Sequence, residues 1–151
     1  MLLTGNRLYL DWVDVEVHIK SMAGSLRDAG LTKDINIVPL SRGGLIPATI
    51  LSHFLGKPIV GFVDTKRDSD EVFNHIPLGR HEGEIWLVDE ILDTGDTLSK
   101  LSENGWPTAQ YFIPYAKHAG YNRFEKRLVT QPAYLIKDHI WVVFPWETSF
   151  N

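Results

Sequence analysis

The sequence predicts an α/β fold built on a mostly parallel sheet. Two observations predict it. Short apolar runs alternate with segments of helical spacing along the whole chain, the pattern of strands joined by crossover helices. Two loops of unusual composition, SRGG (41–44) and DEILDTGDT (89–97), each follow a predicted strand. In a parallel sheet they stand on one edge, where such sheets bind ligands.

The elements follow in order. Val15, Ile19, Met22 and Leu26 recur at helical spacing, and Gly30 closes that helix as a C-terminal cap. INIVPL (35–40) is a short apolar run rich in β-branched residues, a buried strand. After SRGG, LIPATILSHFLG reads as a helix ending before Gly56, and KPIVGFVD (57–64) as another strand. Residues 65–82 are polar, charged and broken by Pro77 and Gly79. That is long for a structureless loop, so the segment is either a mobile functional loop or a hairpin. EIWLVDE (84–90) is a strand and TLSKLSENG (97–105) a short helix. AQYFIPYAK (109–117) and YLIKDHIWVVFPW (134–146) complete the strands. With no repeat, linker or low-complexity tract, the chain reads as a single domain over 1–151.

Composition narrows the function classes. Hydrophobic residues make up 44% of 151, enough for a core, and 15 basic against 19 acidic residues leave a formal charge of −4. That balance argues against sequence-independent nucleic-acid binding, which uses a basic surface. There is no cysteine, hence no disulfide or thiolate chemistry. The N-terminal MLLTGNRLYLDW is too short and polar for a signal peptide, and no stretch reaches the length of a membrane span. A soluble, cytoplasmic protein is expected.

The chemistry concentrates in WLVDEILDTGDTL (86–98), where Asp89, Glu90, Asp93 and Asp96 crowd together although like charges repel. DTGDT lies between a strand and a helix. Its backbone N–H groups, with Gly95 permitting a tight turn, form an anion nest at a helix N-terminus, and Thr94 and Thr97 add hydroxyl donors. Asp89 and Glu90 are acceptors suited to vicinal sugar hydroxyls or a hydrated Mg²⁺. Sugar hydroxyls beside a phosphate cradle describe a ribose 5-phosphate. Neither a Walker loop nor a dinucleotide fingerprint is present.

These residues carry a family resemblance. WLVDEILDTGDTL resembles the phosphoribosyl diphosphate (PRPP) motif of the type I phosphoribosyltransferases: an apolar strand, two acids, two apolar residues, then a loop with Thr-Gly-x-Thr. SRGGLIPA resembles the diphosphate-binding loop of the xanthine-guanine members. AKHAG (116–120) is similar to their Ala-Lys-Pro-Ala-Gly, WVVFPWE (141–147) to their closing Trp-Pro-Trp-acid segment, and DWVDVEVHIK to their first helix. Order and rough spacing match over nearly the whole chain. The resemblance implies a type I phosphoribosyltransferase fold, a mostly parallel twisted sheet flanked by helices with a small C-terminal hood over roughly 134–151.

It also implies roles. Asp89 and Glu90 would hold the ribose hydroxyls and help order Mg²⁺. Asp93, Thr94, Gly95, Asp96 and Thr97 would cradle the 5-phosphate. Ser41, Arg42 and Gly43 would receive the diphosphate, with a strained or cis peptide near Ser41–Arg42. Lys117 would point at the 6-oxo group of a purine; an ammonium has donors only, which suits guanine, xanthine or hypoxanthine and disfavours adenine. Trp141 would stack on the base, the carbonyls of Trp141 and Val142 would read its edge, and Glu147 is a further candidate there. Asp93 would handle the proton on the N7 side. The loop 65–82 would be a mobile lid, with Lys66, Arg67 and Arg80 meeting the diphosphate. A homodimer or homotetramer acting on PRPP and a free base is implied, with no nucleic acid or membrane partner. The alternatives are a non-catalytic PRPP- or nucleotide-sensing regulator of the same fold and a transferase for another base.

The match has departures. Glu90 stands where Asp is usual, Asp96 where Gly or Lys is common, and His118 where Pro is usual. The lid lacks the Ser-Tyr pair of many purine members. A second negative charge at Asp96 opposes phosphate binding by about 1 kcal/mol if partly exposed, unless the side chain points to solvent.

Overall fold

The computed structural model describes residues 1–66, 69–76 and 83–147. The chain opens with an antiparallel hairpin, β1 (Leu2–Thr4) and β2 (Arg7–Tyr9), turning at Gly5. No periodicity announced these three-residue strands. Helix α1 (Trp12–Asp28) begins in a capping box: Asp14 N donates to the Asp11 carboxylate at 2.7 Å, and Asp11 N donates to Asp14 at 2.9 Å. It buries the expected stripe of Val15, Ile19, Met22 and Leu26, and the chain leaves through Gly30 at φ 74°.

The largest sheet is built from β3 (Ile35–Ser41), β4 (Phe62–Thr65), β5 (Val72–His75), β6 (Glu84–Val88) and β8 (Gln110–Phe112), in the order β5-β4-β3-β6-β8. Every pairing is parallel except β4 with β5. α2 (Leu45–Leu55) follows β3 and ends at Gly56 in the left-handed conformation. α3 (Asp96–Glu103) lies between β6 and β8. The central strands β3, β6 and β8 carry buried residues on both faces. Ile35, Ile37, Trp86, Val88 and Phe112 pack with α1 and α2, while Val38, Leu40, Leu87, Tyr111 and Ile113 pack with Leu98 and Leu101 of α3.

A second sheet, β10-β9-β7, is wholly parallel: β7 (Ile91–Leu92), β9 (Tyr115–Lys117) and β10 (Tyr134–Ile136). The third joins β11 (Trp141–Val143) parallel to β2 and forms the hood. A short helix, α4 (His118–Phe124), continues directly from β9.

Several expected strands are shorter or divided. The run 57–64 becomes β4 only from Phe62; before it, Ile59 makes a single bridge to Ile37, and Pro58 has no N–H for a ladder. The run 84–90 stops at Val88, and 91–92 turn into the second sheet. The run 109–117 divides at Pro114 into β8 and β9, which enter different sheets, since Pro cannot donate to a continuous ladder. The run 134–146 divides into β10 and β11. Within 65–82, Thr65 and Val72–His75 belong to an antiparallel hairpin, in which Phe62–Thr65 pair with Val72–His75 in register. Residues 67–68 and 77–82 lie outside the described residues, as do 148–151 of the hood. Among the described residues no helix is long and apolar enough to cross a membrane.

Candidate active site

The SRGG loop leaves the C-terminal end of β3, and Asp89–Glu90 leave the neighbouring end of β6. The two loops touch. A Cβ on Gly43 would lie 1.9 Å from Glu90 Oε2, and one on Gly44 would lie 2.0 Å from the Val88 carbonyl oxygen. At Gly44 the obstacle is backbone, so only a residue without a side chain allows the approach; at Gly43 it is the carboxylate end of the Glu90 side chain. The Ser41–Arg42 peptide is cis, as the resemblance led one to expect.

Asp89 and Glu90 are both half-buried. Asp89 accepts a hydrogen bond from Glu90 N at 2.9 Å. Burial and the adjacent Glu90 charge push the Asp89 carboxyl well above its ordinary value. Glu90 Oε2 is buried without a hydrogen-bond partner. Two crowded carboxylates, one with a buried unpartnered oxygen, are a poor way to finish a fold and a good way to receive hydroxyls or a hard cation.

Residues 93–97 join β7 to α3. Gly95 sits at φ 90° at the N-cap of α3, and Asp96 N donates to Thr94 Oγ1 at 3.3 Å. Asp93, Thr94 and Asp96 are exposed. Asp93 meets the purine-side candidate directly: Lys117 Nζ lies 3.1 Å from Asp93 Oδ1, with the lysine side chain 9% exposed and the aspartate 53%.

One cavity of about 160 Å³ is lined by Glu90, Ile91, Asp93, Lys117, Trp141, Val142, Phe144 and Glu147. All the residues assigned to the base line it. Trp141 is 58% exposed, an indole face open for stacking, whereas the Val142 side chain is core. Glu147 accepts from Phe144 N at 3.0 Å, so one of its oxygens closes the last turn of the hood. A second cavity is lined by Arg42, Gly43, Leu45, Ile46, Glu90, Trp146 and Glu147. Glu90 and Glu147 border both. A base on the Lys117 side and an anion on the Arg42 side would therefore be neighbours.

Lys66 lines neither cavity. Lys66 lies 3.8 Å from Glu71 and 5.0 Å from the Phe73 ring centroid, engaged with its own hairpin. Arg67 and Arg80 lie outside the described residues. Two residues near the site escaped sequence reasoning. Asp138 accepts from Ala119 N at 2.9 Å, tying the hood segment to the turn after Lys117. Arg123 of α4 donates to Thr94 O at 2.6 Å and to Asp96 at 3.1 Å. The unusual charge of Asp96 was the available signal that a cation stands nearby.

No family model matches the chain. A xanthine-guanine phosphoribosyltransferase of Vibrio atlanticus is 29% identical, with 97% of this chain and 92% of that protein covered. The crystal structure of a purine phosphoribosyltransferase from Pyrococcus horikoshii superposes with a TM-score of 0.66 at 28% identity, covering 97% of both chains. The chain has the type I phosphoribosyltransferase fold. The xanthine-guanine-hypoxanthine phosphoribosyltransferase of Helicobacter pylori shares that fold, with a TM-score of 0.64 at 17% identity over 93% of this chain. The resemblance to the xanthine-guanine members thus extends from motifs to the whole chain. Within a type I phosphoribosyltransferase fold, the two cavities lie at the C-terminal ends of β3, β6, β7 and β9, where parallel strands present their ligand loops.

Proposed function

We propose that this chain is a purine phosphoribosyltransferase that joins PRPP to N9 of a 6-oxopurine, giving a nucleoside 5-monophosphate and diphosphate. One observation carries the reading: Asp93, Lys117, Trp141 and Glu147 line one cavity, Arg42 and Gly43 the next, and Glu90 borders both. We read residues 1–151 as one catalytic domain, cytoplasmic, working as a homodimer or homotetramer.

The bookkeeping of bonds is simple. The C1–oxygen bond to diphosphate breaks, the N9–C1 bond forms, and the base loses one proton. Asp93 takes that proton on the N7 side as general base. Lys117 donates to the 6-oxo oxygen while its contact with Asp93 keeps the carboxylate aimed into the cavity. Trp141 stacks on the ring, and the carbonyls of Trp141 and Val142 accept from the base edge. Asp89 and Glu90 accept from the ribose 2- and 3-hydroxyls, and their negative charge stabilises an oxocarbenium-like sugar. Residues 93–97 hold the 5-phosphate. Ser41, Arg42 and Gly43 hold the diphosphate, Arg42 by its forked donors. Lys66, Arg67 and Arg80 are proposed to approach the diphosphate when substrate binds, excluding water.

The acidic pair fits Mg²⁺. Glu90 Oε2 is an orphaned buried oxygen, and Asp89 beside it is another hard donor. Among the described residues no group of three or more His, Cys, Asp or Glu could cage an ion. Asp89 and Glu90 would therefore share the ion with substrate oxygens and water, as suits Mg²⁺. When bound, the ion supplies charge neutralisation of the leaving diphosphate.

The test is direct. The protein is incubated with PRPP and Mg²⁺ and offered guanine, xanthine, hypoxanthine, adenine and uracil separately, while monophosphate and diphosphate are followed. Product from the 6-oxo bases and not from adenine is expected. Product from uracil alone would re-assign the base; PRPP binding without product would favour a sensing role over an enzyme.

A further inference from the structure

Asp96 is the departure least suited to a phosphate cradle, and its surroundings explain how it is tolerated. It opens α3, its side chain is 83% exposed, and Arg123 Nη1 meets its carboxylate at 3.1 Å. The same nitrogen donates to the Thr94 carbonyl at 2.6 Å. Arg123 lies in α4, and its guanidinium stands 5.3 Å from the centroid of the Phe124 ring. That ring fills the space under Gly95: a Cβ there would lie 2.6 Å from Phe124 Cε2. Arg123 and Phe124, the last two residues of α4, therefore pack against residues 94–96. The hydrogen bond from Arg123 also holds the Asp96 carboxyl below its ordinary value.

We propose that Arg123 is a positioning residue for a 5-phosphate held on residues 93–97, gripping the loop through the Thr94 carbonyl and cancelling the Asp96 charge that would oppose the phosphate. The proposal rests on the reading of 93–97 as the 5-phosphate site. It assigns to α4 a part in sugar-phosphate binding, beside the base-side role of Lys117 at its start. An unpaired Asp96 would face a dianion within a few ångströms, a repulsion strong enough to read and sensitive to salt.

Ribose 5-phosphate is the probe, titrated calorimetrically into the wild type, Arg123→Gln, Asp96→Asn and the double variant, with PRPP kinetics in parallel. Arg123→Gln is expected to weaken ribose 5-phosphate and raise KM for PRPP by about fivefold, with kcat within about twofold. The loss should shrink at high ionic strength. The double variant should regain most of the affinity, because the uncompensated charge is gone. An unchanged dissociation constant in Arg123→Gln overturns the proposal, and so does a double variant as weak as Arg123→Gln. Binding of ribose 5-phosphate by a wild type that transfers nothing would sink the transferase reading, while the dissociation constants of the variants still decide the role of Arg123. A wild type that binds no ribose 5-phosphate would overturn both.

Discussion

Asp89 leaves β6 half-buried beside Glu90, and burial and its neighbour's charge both raise its carboxyl above the ordinary 3.8. The consequence for stability has a definite sign. Below the ordinary value the group is protonated in folded and unfolded chains alike and costs nothing. As pH rises through the raised folded value, ionisation favours the unfolded chain, and stability is lost. Asp89→Asn should therefore raise Tm by roughly 2–4 °C near neutral pH, and the gain should fade as pH drops towards the ordinary carboxylate range. Thermal scans across pH check it, and a gain that grows on acidification would contradict the assignment. The same variant should lose PRPP turnover, since it removes the proposed ribose and Mg²⁺ contacts of Asp89. Lys117 is the second informative residue. Its side chain is buried against Asp93, and Lys117→Met should lower kcat/KM for 6-oxopurines by about 100-fold, while adenine, proposed to be a poor substrate, should change little. A uniform loss across all bases would assign Lys117 to the fold instead.

Glycines decide how the elements meet. Gly44 at the start of α2 faces the Val88 carbonyl, and a Cβ there would lie 2.0 Å from that oxygen. The obstacle is backbone and cannot rotate away, so Gly44→Ala should cost about 2–3 kcal/mol, read by urea denaturation, and should part the β3 and β6 loops. Gly24 gives the opposite sign. It lies within α1, and its nearest new contact would be Phe54 Cζ at 3.9 Å. Gly24→Ala meets no clash and gains helix propensity, so it should stabilise by about 0.5–1 kcal/mol. The hairpin of β4 and β5 is held by α3 rather than by the sheet alone: Lys100 Nζ donates to the carbonyls of Lys66 and Ser69 at 2.7 and 2.6 Å. Trp106 adds a bond from its indole N–H to Asn74 at 2.9 Å. These contacts join the proposed lid to the helix that starts at the phosphate loop. They were invisible in the sequence, because nothing local marks Lys100 or Trp106 as partners of residues some thirty positions away.

On the scale of the molecule, the hood is packed into the main core. Ile140, Val142 and Phe144 belong to the same buried cluster as α1 and β3, and Phe144 stacks on Trp146 at 4.7 Å and meets Tyr115 edge-on at 5.7 Å. The segment proposed to bind the base should therefore unfold with the sheet. Far-ultraviolet circular dichroism and tryptophan fluorescence should give coincident denaturation curves, and an early fluorescence transition would show the hood coming away first. Sedimentation equilibrium checks the proposed homodimer or homotetramer; the mass of one chain at micromolar concentration would contradict it.

The sequence by itself determined the α/β class, the helices α1 to α3, the β3 strand and the two ligand loops, because helical period, β-branched runs and loop composition are local properties. It also carried the residue types that line both cavities. What only the tertiary structure decided is which stretches pair. The runs 109–117 and 134–146 look continuous, yet each serves two sheets, since Pro114 interrupts one ladder and partners from distant strands capture the pieces. The Asp93–Lys117 contact, the closeness of Gly43 to Glu90, and the Arg123 grip on Thr94 and Asp96 belong to the same class. Each joins residues far apart in the chain, and the short-range patterns of a sequence carry no distance between them.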